Sequence, residues 1–82
     1  MLSIDYKKEF LKTISKIKNK DIKEKIKNQV EKIIENPKIG KPMRYSRKGT
    51  REVYIAPYRL AYSYIPSENK IIFLEIYHKN EQ

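Results

Sequence analysis

The arginines of this chain are confined to one short region, which makes that region the first candidate for contact with phosphate groups. The chain is rich in lysine, yet all four arginines lie between residues 44 and 59, namely Arg44, Arg47, Arg51 and Arg59. Arginine presents a planar fork of N–H donors that matches phosphate oxygens in pairs and stacks on bases, whereas lysine offers a point charge. The clustering therefore favours recognition of an anion by this region.

Two readings of the arginines follow from the residues alone. One is contact with nucleic acid, supported by the tyrosines interleaved with the basic groups. The other is ordinary cross-strand ion pairing of Arg51 and Arg59 with Glu52 and Glu75. Glu52 is also a candidate general base, since a carboxylate can accept a proton.

Composition narrows the function classes. The net charge is +9, from 19 basic and 10 acidic side chains, which predicts a polyanionic partner. No cysteine and a single histidine, His78, leave no thiolate or multi-histidine metal site, and we expect neither a metal nor a cofactor. Two glycines are too few for a long phosphate-binding loop. No apolar run approaches the roughly 20 residues that span a membrane, and the N-terminus lacks an apolar signal core, so we expect a cytoplasmic protein.

The first half of the chain has a helical period. Apolar residues recur every three to four positions over residues 6–36, with a break at Asn19 and Lys20, which predicts a helix hairpin. Asp21 and Glu24 have the spacing of a capping box for the second helix. Asn36-Pro37 predicts its end, because the residue before proline avoids the α region. Residues 2–4 are a candidate short strand.

The second half has the period of strands. After a basic, proline- and glycine-containing loop over residues 37–50, residues 51–79 alternate in three β-branched and aromatic segments, which predicts an antiparallel meander. The whole chain, residues 1–82, is thus interpreted as one α+β domain. In it, an N-terminal helix hairpin packs on a small antiparallel sheet of three to four strands.

Alternation assigns the strand residues to faces. Val53, Ile55, Leu60, Tyr62 and Tyr64 are predicted to face the helices. Glu52, Tyr54, Arg59, Ala61 and Ser63 are predicted to face the other way, because an unpartnered buried arginine is costly. The direction of Arg51, at the start of its strand, is left open.

The ordered string "NPKIGKPM…RKGTREVYIAPYRLAYSY…IIFLEIYHK" resembles the RelE/ParE superfamily of type II toxin–antitoxin toxins over nearly the whole chain. In RelE-like members, the resemblance implies a ribosome-dependent endoribonuclease that cuts mRNA by attack of a ribose 2′-OH on the adjacent phosphodiester. It also implies a small acidic antitoxin as partner, beside the ribosome and mRNA.

The resemblance also implies roles for particular residues. Arg59 corresponds to the phosphate clamp, Arg51 to a second clamp or an mRNA anchor, and Lys79 to the basic residue that closes the last strand. His78 is a candidate proton donor or acceptor. Tyr54, Tyr58 and Tyr77 are candidate sources of a hydroxyl, with Tyr54 placed in the site by its predicted face. The RNA-binding candidates are the loop cations Lys41, Arg44, Arg47 and Lys48.

Two other functions stay open at this stage. A ParE-like inhibitor of DNA gyrase would use the same fold without catalytic residues of its own. A relative that only binds an antitoxin or nucleic acid is favoured by two departures: Glu52 stands where some members have lysine, and the chain ends before the C-terminal tyrosine common in RelE-like enzymes.

Overall fold

The computed structural model describes residues 2–43 and 49–78 of the chain. They form two helices and five strands in the order β1 (Ser3–Tyr6), α1 (Lys8–Lys16), α2 (Lys20–Glu35), β2 (Lys41–Pro42), β3 (Thr50–Ile55), β4 (Tyr58–Ile65) and β5 (Lys70–His78), with a 3-10 turn at Pro66–Glu68 before β5. The strands make one sheet in the order β1-β5-β4-β3-β2. Arg44, Arg47, Lys48 and Lys79 lie outside the described residues.

The helices form where the sequence has its apolar stripes. Phe10 in α1 and Ile26 and Ile33 in α2 are the buried positions of those stripes. The predicted capping box is displaced, because α2 begins at Lys20 and its N-cap is Asn19, whose side-chain oxygen accepts a hydrogen bond from the Ile22 N–H at 3.1 Å. Asparagine is as good an N-cap as aspartate, so the earlier polar residue begins the helix. Glu35 is the last helical residue before Asn36-Pro37, as predicted.

The sheet is larger than the sequence indicated. The α+β class with helices packed on one sheet is confirmed, but the sheet has five strands and is mixed rather than purely antiparallel. β1 pairs with β5 in parallel, because the chain leaves β1 directly into α1 and the meander then brings β5 back beside it. The two-residue β2 adds an edge antiparallel to β3.

Two short joints connect the strands of the meander. Ala56-Pro57 links β3 to β4, and the turn before β5 ends at Asn69, whose φ of 49° is the left-handed conformation that asparagine tolerates. One irregularity interrupts the pairing of β4 with β5: Ala61 faces Glu75 whereas Tyr62 faces Phe73, so Leu74 is an extra residue in β5.

Both helices cover the same face of the sheet, which we call the helix face. The core joins the buried helix residues to side chains of the three central strands: Ile55, Leu60, Tyr62, Ile71, Phe73 and Ile76. The opposite face, the open face, carries Glu52, Tyr54, Arg59, Ala61 and Tyr77 by alternation and register. No helix or strand of the described ranges covers the open face.

Candidate functional site on the open face

A guanidinium, a carboxylate and a phenol are joined on the open face. Arg59 Nη1 donates to Glu52 Oε1 at 2.6 Å, and the Tyr77 hydroxyl donates to Glu52 Oε2 at 2.8 Å. The carboxylate thus bridges a residue of β4 and a residue of β5 from its place in β3. The ion-pair reading of Arg59 is confirmed, with Glu52 as the partner.

Register explains why these groups meet. Arg59 of β4 lies directly opposite Tyr54 of β3 and Tyr77 of β5, so the three side chains form a row across the sheet. The neighbouring row is Lys41, Glu52, Ala61 and Glu75. The small side chain of Ala61 leaves room above it for the Glu52 carboxylate to reach both Arg59 and Tyr77. The Arg59 guanidinium carbon lies 6.0 Å from the centre of the Tyr54 ring, within reach of a cation–π contact.

The environment of this cluster is partly desolvated. The side chains of Arg59 and Glu52 are 28% and 17% exposed. Burial, followed by the hydrogen bond to Glu52 and the negative charge of that carboxylate, raises the pKa of the Tyr77 hydroxyl to about 12. Tyr77 therefore keeps its proton at neutral pH and serves as a hydrogen-bond donor rather than as a base.

Arg59 has an incompletely satisfied guanidinium. Its Nε atom is buried and has no hydrogen-bond partner, and the Glu52 bond engages Nη1. A guanidinium carries five N–H donors in a fixed fork, so the Glu52 contact leaves Arg59 with donor capacity for a further anion.

Arg51 lies on the other side of the sheet from Arg59. It is the register partner of Tyr62 on the helix face, and its Nη1 donates to the carbonyl oxygens of Lys38 at 3.1 Å and Gly40 at 2.7 Å. The two arginines of the meander therefore do not stand together. Their placement on opposite faces follows from the register of β3 against β4, which alternation within a single strand does not fix.

The remaining sequence candidates are divided. Tyr54 lies on the open face beside Arg59 and is exposed. Lys41 lies on the same face as Glu52, its register partner across the edge of the sheet. His78 is paired with Tyr58 and packs edge-on against its ring at 5.8 Å, away from Arg59. Arg44, Arg47, Lys48 and Lys79 fall outside the residues that the structure describes.

Sequence reasoning left Tyr77 as one of several candidate hydroxyls and overlooked the contacts of Tyr62. The Tyr62 hydroxyl donates to the Pro37 carbonyl at 2.8 Å and accepts from the Gly40 N–H at 2.9 Å. Each of these contacts joins residues more than twenty positions apart. Strand register and the loop path, rather than any local motif, bring them together.

The described residues show neither a metal centre nor a membrane span. Within residues 2–43 and 49–78, no three histidine, aspartate or glutamate side chains gather closely enough to hold a metal ion. In the same ranges, neither helix has the length and apolar character to cross a membrane.

The fold and this cluster define a small α+β protein with an ionic site on a bare sheet face, and comparison with known proteins identifies its family. The family model of the ParE toxin of type II toxin–antitoxin systems matches residues 4–82. The chain therefore belongs to this toxin family. The sequence has no match among curated proteins.

Solved structures agree on the fold. The toxin of the intact E. coli RelBE toxin–antitoxin complex superimposes with a TM-score of 0.81 at 17% identity, covering 99% of this chain and 100% of that one. An archaeal RelE–RelB complex from Pyrococcus horikoshii gives a TM-score of 0.78 at 13% identity, covering 99% of this chain and 98% of that one. The RelBE2 complex of Mycobacterium tuberculosis gives a TM-score of 0.78 at 19% identity, covering 95% of this chain and 98% of that one.

Proposed function

We propose that this toxin is a ribosome-dependent endoribonuclease that arrests growth in the cytoplasm by cutting mRNA. The observation that supports the proposal most directly is the convergence of Arg59, Glu52, Tyr77 and Tyr54 on the uncovered face of the sheet. These are an anion clamp, a proton acceptor, a proton-bearing hydroxyl and an aromatic surface for a base. The set matches what cleavage of a phosphodiester requires.

In the proposed reaction the ribose 2′-oxygen attacks the adjacent phosphorus. Glu52 takes the 2′-OH proton as the P–O2′ bond forms, and Arg59 donates to the phosphoryl oxygens, where negative charge grows in the transition state. The P–O5′ bond then breaks, and the leaving 5′-oxygen takes a proton. Tyr77 lies beside Glu52 with its proton retained, which makes it our candidate donor. The products are a 2′,3′-cyclic phosphate and a 5′-hydroxyl.

The partners follow from charge and from the relatives. RelE proteins of E. coli and M. tuberculosis are found in complexes with their antitoxins. We propose that an acidic cognate antitoxin neutralises this chain, since its net charge of +9 favours a polyanionic protein partner. We assign backbone contacts with mRNA to Lys41 and to the loop and terminal cations Arg44, Arg47, Lys48 and Lys79.

The test is induction of the chain without antitoxin, followed by primer extension on ribosome-bound mRNA. We expect new 5′ ends within coding regions and growth arrest. Arg59→Lys, which keeps the charge but loses the fork, should slow cleavage roughly 100-fold or more, the scale on which a lost transition-state donor acts. Glu52→Gln should slow it to a similar extent.

Lys70→Ala is the matched control, because Lys70 is also a half-buried cation in an ion pair, with Asp5 at 3.1 Å, but lies rows away from Arg59. It should cleave at the parental rate. Full cleavage by a folded Arg59→Lys variant would refute the catalytic site proposed here.

A ParE-like inhibitor of DNA gyrase is the second candidate, and one observation favours it. The Glu52 carboxylate already neutralises Arg59 in the free protein, which suits a binding surface at least as well as a phosphate clamp. If gyrase is the target, induction should relax or break DNA while translation continues and ribosome-bound mRNA stays intact. Growth that continues unaffected would instead indicate a family member that only binds its partners.

A further inference from the structure

The residues around Gly40 are joined by a compact set of hydrogen bonds on the helix face. Arg51 donates to the carbonyls of Lys38 and Gly40, and the Tyr62 hydroxyl joins the Pro37 carbonyl to the Gly40 N–H. We call these five residues the loop clasp. It ties the segment that follows α2 to the start of β3 and the middle of β4.

The clasp is built to one geometry. Tyr62 is fully buried and Gly40 is buried as well. A Cβ atom on residue 40 would lie 2.5 Å from the Tyr62 hydroxyl oxygen, closer than real side chains approach. Residue 40 must therefore be glycine while the clasp is closed. Burial is the main cause of a raised pKa for Tyr62, so its hydroxyl retains the proton that it donates to Pro37.

The strand that follows the clasp depends on it. β2 has two residues, and Pro42 has no N–H to give to the sheet. So short an edge strand is weakly held by its own ladder bonds. With residues 38 and 40 fixed by Arg51, the next residue, Lys41, is set opposite Glu52 on the open face.

Lys41 matters there because of the local charge. The two rows that surround the proposed site contain the cations Arg59 and Lys41 and the anions Glu52 and Glu75. Arg59 and Glu52 already pair with each other. With Lys41 these four groups balance in charge. Without it, one cation and two anions remain, and this net negative set would repel a phosphodiester.

We propose that Arg51 and Tyr62 are positioning residues that act through Lys41, holding it beside Glu52 so that it offsets the carboxylates of the open face and contacts the RNA backbone. The inference rests on the proposed function for its ligand and reassigns Arg51 from a phosphate clamp to a support on the opposite face of the sheet. Lys41 is then the contact residue, and Arg51 never touches the nucleic acid.

A double-mutant cycle tests this. Binding of a short, fluorescein-labelled single-stranded RNA is measured by anisotropy at low salt for the parent, Lys41→Ala, Arg51→Ala and the double variant. Each single variant should weaken binding by roughly threefold to tenfold, the effect of one lost backbone contact. The double variant should bind RNA about as well as the single variant with the lower affinity, because Arg51 has nothing to position once Lys41 is gone.

Lys38→Ala is the control, since it removes a neighbouring loop lysine while keeping the carbonyl that Arg51 binds. It should bind RNA more tightly than Lys41→Ala does. If Arg51→Ala fails to fold, Tyr62→Phe replaces it in the cycle, because it keeps the ring in the core and removes the hydroxyl.

Two results would overturn the inference. One is a loss of RNA affinity in the double variant equal to the product of the two single losses. The other is an Arg51→Ala protein with the RNA affinity of the parent when Lys41→Ala has lost affinity. Because the cycle reads RNA binding, it is independent of cleavage. A parent protein that binds RNA with the predicted coupling yet leaves mRNA intact would refute the proposed enzyme and preserve the clasp.

Discussion

The two faces of the sheet are made from the same strands but are stabilised by different interactions. The helix face is a continuous apolar core in which Leu60, Ile71 and Phe73 are fully buried. The open face is held around Arg59 by an ion pair and a phenol hydrogen bond. Burial of apolar surface is non-directional and tolerant, whereas the ionic cluster depends on partners at particular positions. Stability is therefore concentrated on one face and specific chemistry on the other.

The largest expected effect compares two neighbouring isoleucines of β5. Ile71 is fully buried on the helix face, and Ile72 is half-buried on the open face opposite Ser63. Ile71→Ala should lower the free energy of unfolding by about 2–5 kcal/mol, the range for a buried isoleucine, and Ile72→Ala by clearly less. Urea denaturation measures both. Equal losses would mean that the open face is as tightly packed as the core.

The next effect compares two ion pairs of the open face. Arg59→Ala should cost about 1.5–3 kcal/mol of unfolding free energy, because it leaves the largely buried Glu52 carboxylate without its cation. Lys70→Ala should cost at most about 1 kcal/mol, since its partner Asp5 is 57% exposed and water replaces the contact. Similar losses for the two variants would contradict a special role of desolvation around Arg59.

The smallest effect is a pH dependence that belongs to the open face. The folded-state pKa of Tyr77 is about 12, above its ordinary value of 10.0. The hydroxyl therefore contributes its full stabilisation at a pH below its ordinary pKa, and this contribution is lost as the pH rises from the ordinary pKa to the pKa in the folded protein. The difference in unfolding free energy between the parent and Tyr77→Phe should shrink over that interval.

The same titration can be tied to Glu52. The ionisation of tyrosines is followed by the ultraviolet absorbance of the phenolate. The difference between the parent and Tyr77→Phe gives the part of this signal that belongs to Tyr77. Glu52→Gln should move this ionisation to lower pH, because the carboxylate raises the pKa through both its hydrogen bond and its charge. An unchanged midpoint would show that Tyr77 and Glu52 do not interact in solution.

Local pattern was a good guide to the elements and a poor guide to the sheet as a whole. The helical stripes and the period of the strands predicted both helices and the meander, because burial of one face imposes those periods on the sequence. The candidate strand at residues 2–4 is present as β1. Its parallel pairing with β5 was not predicted, because pairing joins distant residues, and β2 was not predicted, because a two-residue strand is too short to show a period. The capping residue moved from Asp21 to Asn19, because several polar residues there satisfy the same rule.

For the site, the sequence by itself determined which residues face away from the helices, since Arg59 cannot be buried in an apolar core without a partner. It also named Glu52 as a partner for Arg59. The tertiary structure alone decided that Tyr77 completes the cluster, that Arg51 turns to the opposite face, and that Tyr62 fixes the loop at Gly40. Those facts depend on strand register and on contacts between distant residues, and no local spacing in the chain encodes either.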